Sequence, residues 1–99
     1  MRHRLRVVPV AERHVRDAAK WWLDNRPAAP ALFRTELAAA FDLISAQPDI
    51  APLAQEVHVP DVRRFYLSRI RYYLYYRHRG DLVEVLALWH ASRGSSPNL

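Results

Sequence analysis

The spacing of hydrophobic residues changes from a two-residue to a helical period near the start of the chain. Residues 3–8 alternate in the manner of a strand, and Pro9 limits that strand because it has no backbone N–H to donate. From Ala11 onward the apolar residues recur at helical spacing, at Val15, Ala18, Ala19 and Trp22. The pattern predicts a short strand followed by an amphipathic helix that ends near Asn25-Arg26-Pro27.

A second helix is predicted from about residue 29 to residue 47. Its apolar face consists of Phe33, Leu37, Ala40, Phe41 and Ile44. Pro30 would lie in the first turn, where proline is tolerated, and Pro48 ends the helix. The short connection between the two helices predicts an antiparallel helical hairpin. Residues 49–61 are predicted to form a loop with one brief extended piece at 56–59.

Three strands are predicted after this loop, at residues 62–67, 70–78 and 82–90, with turns at Ser68-Arg69 and Arg79-Gly80. The last strand is apolar on both faces from Val85 onward, which is typical of a central strand. The order β-α-α-β-β-β predicts an α+β fold, with a helical hairpin packed on one face of a small, mainly antiparallel sheet. Residues 1–99 are expected to form one domain.

Composition narrows the classes of protein that fit. The chain has no cysteine, which excludes a disulfide scaffold, a zinc finger and a thiol nucleophile. The net charge is +5, and 14 of the 15 basic residues are arginine, with Lys20 as the exception. Arginine suits carboxylates, phosphates and aromatic faces. The same bias is also expected from a GC-rich genome.

Several kinds of site and location are not indicated by the sequence. The basic start is followed by no apolar stretch of signal-peptide length, and no run of eighteen apolar residues occurs, so we expect a soluble cytoplasmic protein that does not bind a membrane. The five histidines show no paired spacing for a metal. Gly80 and Gly94 are the only glycines, too few for a phosphate-binding loop. We therefore predict no metal and no cofactor.

Charge is distributed unevenly along the chain. Residues 27–61 contain one arginine and five carboxylates, whereas residues 62–80 contain six arginines and no acid. In the strand at 70–78, alternation places Ile70, Tyr72, Leu74 and Tyr76 under the helices, and Arg71, Tyr73, Tyr75 and Arg77 on the other face. The second set could stack bases and bind phosphates or hold an acidic, apolar peptide. It could also be a solvated face on which tyrosines pack across strands.

Three segments of the chain carry a family resemblance. They are Val62-Arg63-Arg64, the run from Tyr72 to Arg77, and the run from Gly80 to Arg93, preceded by a hairpin containing Trp21-Trp22 and Phe33. This pattern resembles the RelE/ParE toxins of type II toxin–antitoxin (plasmid stabilisation) modules, and it is nearer the ParE branch. The resemblance implies a growth-inhibiting toxin that forms a hetero-oligomer with a cognate acidic antitoxin of the ParD or RelB kind. ParE-like members inhibit DNA gyrase, whereas RelE-like members cleave mRNA on the ribosome.

The resemblance leaves the choice between enzyme and binding protein open. In a ribonuclease, Arg63, Arg64 or Arg77 would stabilise the charge on the phosphate, and His90 would protonate the leaving oxygen. His90 could equally be a hydrogen-bonded histidine at a strand end. No terminal tyrosine or lysine cluster follows Arg93, which weakens the ribonuclease hypothesis, and the short tail after Arg93 predicts no C-terminal helix that could contact gyrase. A relative without toxicity, which serves only as a binding partner, is the third hypothesis.

A wider set of residues is predicted to contact the target or the antitoxin: Trp21, Arg71, Tyr73, Tyr75, Arg77, His90 and Arg93. Trp21 belongs to it because Trp22 fits the apolar stripe of the first helix, which leaves its neighbour at the flank. Arg93 lies just beyond the last strand and is either a contact or an exposed tail arginine.

Overall fold

The computed structural model describes residues 2–99 and contains the predicted elements in the predicted order. They are β1 (Arg4–Val7), α1 (Pro9–Asn25), α2 (Leu32–Ala46), β2 (Val62–Leu67), β3 (Tyr72–Arg79) and β4 (Leu82–His90). The strands lie in the order β1-β4-β3-β2, with β1 parallel to β4 and the other pairs antiparallel. Both helices pack on one face of this sheet. The α+β prediction is confirmed.

The helices begin at different residues from those predicted. α1 starts at Pro9 instead of Ala11, because the fixed φ of proline suits the first helical turn, where its missing N–H has no partner to lose. α2 starts at Leu32 and not at residue 29. Pro30 lies in the connection, where the N–H groups of Ala29 and Leu32 close two successive turns. Neither helix within residues 2–99 is both long and apolar enough to cross a membrane.

Two predictions for the sheet were wrong. β3 begins at Tyr72, because Arg71 has a φ of 61° and its N–H donates to the carbonyl of Leu67 at 2.8 Å. Arg71 therefore closes a turn and does not share a strand face with Tyr73. The extended piece predicted at 56–59 is also not formed. Instead Leu53 makes a single bridge to Arg63 at the edge of β2.

A bulge in β4 explains why this strand is apolar on both faces. Tyr75 is in register with Ala87 and Tyr76 with Val85, so Leu86 is an extra residue on β4. The bulge reverses the alternation along the strand. Residues facing the helices are Val83 and Val85 before it and Leu88 after it, while Ala87 and Trp89 face the opposite side.

The core lies between the helices and the sheet and contains Trp22, Phe33, Ile44, Leu74 and Tyr76. Two of its aromatic residues donate to backbone carbonyls: the Tyr76 hydroxyl to that of Pro48 and the Trp22 indole N–H to that of Ala29, each at 2.7 Å. Trp22 is 6% exposed and Trp21 42%, as the helical stripe predicts. A smaller cluster covers part of the other face, where Leu99 and loop residues pack over Val62, Tyr75 and Ala87.

Candidate functional site

Two arginines lie on aromatic rings on the sheet face that points away from the helices. The guanidinium carbon of Arg64 is 4.2 Å from the ring centre of Tyr73, and that of Arg93 is 3.7 Å from the ring centre of Trp89. Tyr73 and Trp89 are cross-strand partners, so the two pairs are neighbours. We call these four residues the Arg/aromatic ledge. Cation–π contacts of this kind contribute about 0.5–1 kcal/mol each at exposed sites.

An open pocket of about 450 Å³ lies against the ledge. Besides the four ledge residues, its lining includes Glu56, Tyr75, His90, Ser95 and Ser96. Ser95 is held in place by the indole N–H of Trp89, which donates to its carbonyl at 2.7 Å. The pocket therefore combines fixed cations, aromatic surface and polar groups, which suits an anionic or aromatic ligand.

One carboxylate on the pocket wall ties the loop to the sheet. Glu56 accepts hydrogen bonds from the Tyr75 hydroxyl at 2.8 Å and from Arg64 at 2.9 Å. Burial, together with the hydrogen bond to Glu56, raises the pKa of Tyr75 to about 12. Burial alone would raise the pKa of Glu56, but hydrogen bonds from its own backbone, Tyr75 and Arg64 outweigh it and lower that pKa. At neutral pH the carboxylate is ionised, and Tyr75 is a neutral donor that anchors it.

Replacing Tyr75 with phenylalanine is expected to lower the free energy of unfolding by about 1.5 kcal/mol. The loss is that of a hydrogen bond to a charged acceptor at a buried site, while Arg64 still pairs with Glu56. Denaturant unfolding at pH 7 measures it. Tyr66→Phe is the matched control, because Tyr66 is 44% exposed and its hydroxyl loss should change stability little. Equal losses in both variants would contradict the anchoring role of Tyr75.

His90 lies between the pocket on the open face and a second cavity on the helix side. Its Nδ1 accepts from the backbone N–H of Ser92 at 3.1 Å and is 2.6 Å from the Ser92 hydroxyl oxygen. The neutral ring therefore carries its proton on Nε2. The ring also packs edge-on against Tyr72, with 4.9 Å between the ring centres. These contacts orient His90 at the strand end.

The second cavity is a cleft between α1 and the C-terminal half of β4, which we call the α1/β4 cleft. Its lining includes His14, Asp17, Trp21, Tyr72, Leu88, His90 and Arg93. Arg26 lies over the exposed face of Trp21, with its guanidinium carbon 5.3 Å from the ring centre. The structure thus brings Trp21, His90 and Arg93, three of the residues predicted to bind a partner, into one cleft.

His14 accepts a hydrogen bond from the backbone N–H of Leu88 at 3.2 Å. Burial lowers its pKa below the ordinary value of 6.5, and Arg93 and Arg13 lower it further against an opposing effect of Asp17. The folded protein therefore binds this proton less tightly than the unfolded chain does.

We expect the contribution of His14 to stability to be complete above about pH 6.5 and to be lost as the pH falls below that value, through the lowered pKa. Thermal unfolding between pH 8 and pH 5 measures this loss. In the His14→Asn variant the amide oxygen can accept the same N–H without titrating, so its stability should fall less over this range. Parallel curves for the two proteins would contradict the assignment.

The remaining predicted residues lie elsewhere. Arg63 donates to the carbonyl of Ala51 at 2.7 Å, and Arg77 pairs with Glu84 at 3.3 Å. Glu84, whose side chain is 11% exposed, also pairs with Arg6 at 3.0 Å. Arg71 is in the β2–β3 turn. Of the four residues predicted for a ribonuclease, only Arg64 and His90 line the open-face pocket.

Sequence reasoning missed three residues of these sites: Glu56, Trp89 and His14. Glu56 lies in a loop without periodicity, and the only signal for it was the charge contrast between the acidic residues 27–61 and the arginine-rich residues 62–80. Trp89 reaches the open face through the β4 bulge, which no sequence signal marked. Among residues 2–99, no group of three or more His, Asp or Glu side chains is arranged to hold a metal.

Comparisons with known proteins agree on one family and one fold. A family model described as the ParE toxin of type II toxin–antitoxin systems (parDE) matches residues 5–94. A solved structure described as a chromosomal ParDE TA system from P. aeruginosa superimposes with a TM-score of 0.64. It is 14% identical, and the match covers 91% of this chain and 97% of that one, which supports a shared fold. No curated protein sequence matches the chain.

Proposed function

The chain belongs to the ParE toxin family of type II toxin–antitoxin systems, and from this membership we propose that it inhibits DNA gyrase and is neutralised by a cognate antitoxin. The observation that carries the proposal is the family match over residues 5–94. The protein would act in the cytoplasm, where gyrase is found. It would bind no cofactor and would form a hetero-oligomer with its antitoxin.

The charge distribution supports an acidic antitoxin. All six charged side chains between residues 62 and 80 are arginines, and the net charge of the chain is +5. The guanidinium groups of Arg64 and Arg93 each lie over an aromatic ring, which restricts these side chains and reduces the ordering needed when a carboxylate or a phosphate meets them. The Arg/aromatic ledge is therefore the surface we propose for contact with the target or the antitoxin, together with His90 and Trp21. Tyr75, which was also expected to make this contact, is 2% exposed and lies under the loop that carries Glu56.

Ribosome-dependent mRNA cleavage is the alternative function. The observation in its favour is that Arg64 and His90 line one pocket with an ionised Glu56. The distribution of the other arginines weighs against it, since Arg63 and Arg77 are engaged with Ala51 and Glu84. A raised pKa also removes Tyr75 as an acid or base at neutral pH.

Induced expression in bacteria separates these functions. Gyrase inhibition predicts growth arrest with SOS induction and trapped gyrase–DNA cleavage complexes, relieved by co-expression of the small acidic protein from the adjacent reading frame. New 5′ ends in ribosome-bound mRNA without SOS induction would replace the gyrase proposal with the ribonuclease alternative. The absence of any growth defect would contradict both mechanisms and favour a binding relative without toxicity.

A further inference from the structure

Ion pairs with carboxylates engage most of the basic side chains of this protein. Of its 15 basic residues, nine form such a pair. At the turn between β3 and β4, for example, Arg4 pairs with Asp81. Within residues 2–99, the arginines that form no pair are Arg13, Arg26, Arg34, Arg71, Arg79 and Arg93. The net charge of +5 therefore arises mainly from these six side chains.

Three of the six lie around the α1/β4 cleft. Arg93 is part of its lining, and Arg13 is close enough to lower the pKa of His14, as Arg93 also does. Arg26 lies over Trp21, which lines the same cleft. The basic charge that carboxylates leave unpaired is thus gathered near the C-terminal end of β4.

A fourth arginine, Arg71, lies beside the same strand end. Its carbonyl oxygen accepts from the N–H of Ala91 at 2.9 Å, which places the β2–β3 turn next to the last residues of β4. The remaining two are elsewhere, since Arg34 is on the exposed side of α2 and Arg79 is the last residue of β3, at the far end of that strand. Asp17 is the carboxylate in the cleft lining, so this end keeps an excess of positive charge. We call four residues the arginine patch: Arg13, Arg26, Arg71 and Arg93.

Aromatic rings restrict two arginines of this patch without cancelling their charge. The guanidinium carbon of Arg26 is 5.3 Å from the ring centre of Trp21, and that of Arg93 is 3.7 Å from the ring centre of Trp89. A ring attracts a guanidinium through its quadrupole, but unlike a carboxylate it leaves the net charge in place. The positive charge at this end therefore remains available to an anion from outside the protein.

The arrangement of these charges favours a nucleic-acid backbone over a small anion. The four arginines come from α1, from the turn after it, from the β2–β3 turn and from the segment after β4. A small anion would meet only one or two of them. Duplex DNA carries one negative charge per about 1.7 Å of its axis, so each arginine can meet a phosphate of its own. Guanidinium groups also match phosphate oxygens with two parallel hydrogen bonds.

We propose that the arginine patch binds the phosphate backbone of DNA without sequence preference, so that the protein contacts the DNA held by gyrase as well as the enzyme. The role of gyrase in this inference rests on the proposed function, whereas binding of DNA by the protein alone does not. Contacts to phosphates carry no sequence information, and they release counterions from the DNA. Four such contacts give a slope of about −3.6 for the logarithm of affinity against the logarithm of salt concentration.

The test measures binding of the full chain to a fluorescently labelled DNA duplex by anisotropy, without gyrase. We expect affinity to fall about 100-fold between about 50 and about 200 mM salt. Arg71→Gln and Arg93→Gln should each weaken binding about fivefold at the lower salt concentration and reduce the steepness of the salt dependence by about 1. Arg79→Gln is the matched control, because it removes the same charge at the opposite end of β3 from Arg71. It should bind within about twofold of the unsubstituted chain.

The outcomes separate this inference from the proposed function. Equal weakening by Arg71→Gln and Arg79→Gln would show that net charge and not the patch determines binding, which overturns the inference. Equal affinity for polyglutamate would indicate an acidic protein as the partner, and tighter binding to an RNA duplex of the same sequence would indicate RNA. If no DNA is bound while gyrase is still inhibited, only this inference fails. If DNA is bound as described while supercoiling continues, the gyrase proposal fails and DNA binding stands.

Discussion

A variant that carries both Arg64→Gln and Arg93→Gln is expected to need on the order of 100-fold more protein to inhibit gyrase. Each arginine lies over an aromatic ring of the Arg/aromatic ledge and lines the open-face pocket. A hydrogen bond to a charged group contributes about 1.5–3 kcal/mol, and the loss of one at each position gives this factor at the lower end of that range, which applies because both sites are open to solvent. The measurement is the toxin concentration that halves supercoiling by purified gyrase.

The control for this variant removes the same charge elsewhere. Arg34 and Arg79 are both exposed and line none of the cavities described above, so Arg34→Gln with Arg79→Gln lowers the net charge equally. We expect the control to inhibit gyrase within a few-fold of the unsubstituted protein. Equal loss in both double variants would show that net charge, and not the ledge, determines inhibition. Arg64→Gln also removes a partner of Glu56, so unfolding of each variant must be measured in parallel.

Glu84→Gln is expected to destabilise the fold by about 3 kcal/mol. The carboxylate is 11% exposed and lies between Arg77 and Arg6 on the open face. Removing the charge from one partner of a buried pair leaves the other uncompensated, which typically costs 3–5 kcal/mol. The lower end applies because the Arg6 side chain is 57% exposed and can turn to water. A loss of this size lowers Tm by roughly 12–24 °C in a domain of this length.

Two further variants test the explanation for Glu84. Asp81→Asn breaks an ion pair with Arg4 in which both side chains are 73% exposed, so it should change Tm little. Glu84→Leu combined with Arg77→Leu should be less destabilising than the sum of the single changes, because it leaves no buried guanidinium without a partner. Additive effects in this double variant would contradict the ion-pair explanation.

Much of the fold could be predicted because the spacing of hydrophobic residues distinguishes helices from strands and shows which face of each is buried. The stripe through Val15 and Trp22, the alternation in β3 and the valine-rich β4 gave the layers and the element order. Predictions failed where backbone hydrogen bonding overrides spacing. In the sequence Arg71 has the two-residue spacing from Tyr73 that would place both on one strand face. In the structure Arg71 has a φ of 61° and closes a turn with Leu67, so it lies outside the strand.

The candidate sites were less predictable because their geometry depends on contacts between distant segments. Tyr75 was expected on an exposed face, yet it is 2% exposed, because the loop carrying Glu56 folds over it. The partners of Arg64 and Arg93 lie on neighbouring strands, and the β4 bulge decides that Trp89 faces them. No local pattern encodes that bulge. His14 is an ordinary helix residue in sequence and becomes informative only beside the N–H of Leu88.

Gyrase inhibition by the purified protein is the most direct test of the central claim. Relaxed plasmid, gyrase and ATP are incubated with increasing amounts of the toxin, and supercoiled and cleaved DNA are separated on a gel. The account predicts that supercoiling stops while cleaved complexes accumulate, and that an equimolar amount of the antitoxin restores supercoiling. Undiminished supercoiling in the absence of antitoxin, at toxin concentrations that arrest growth, would contradict it.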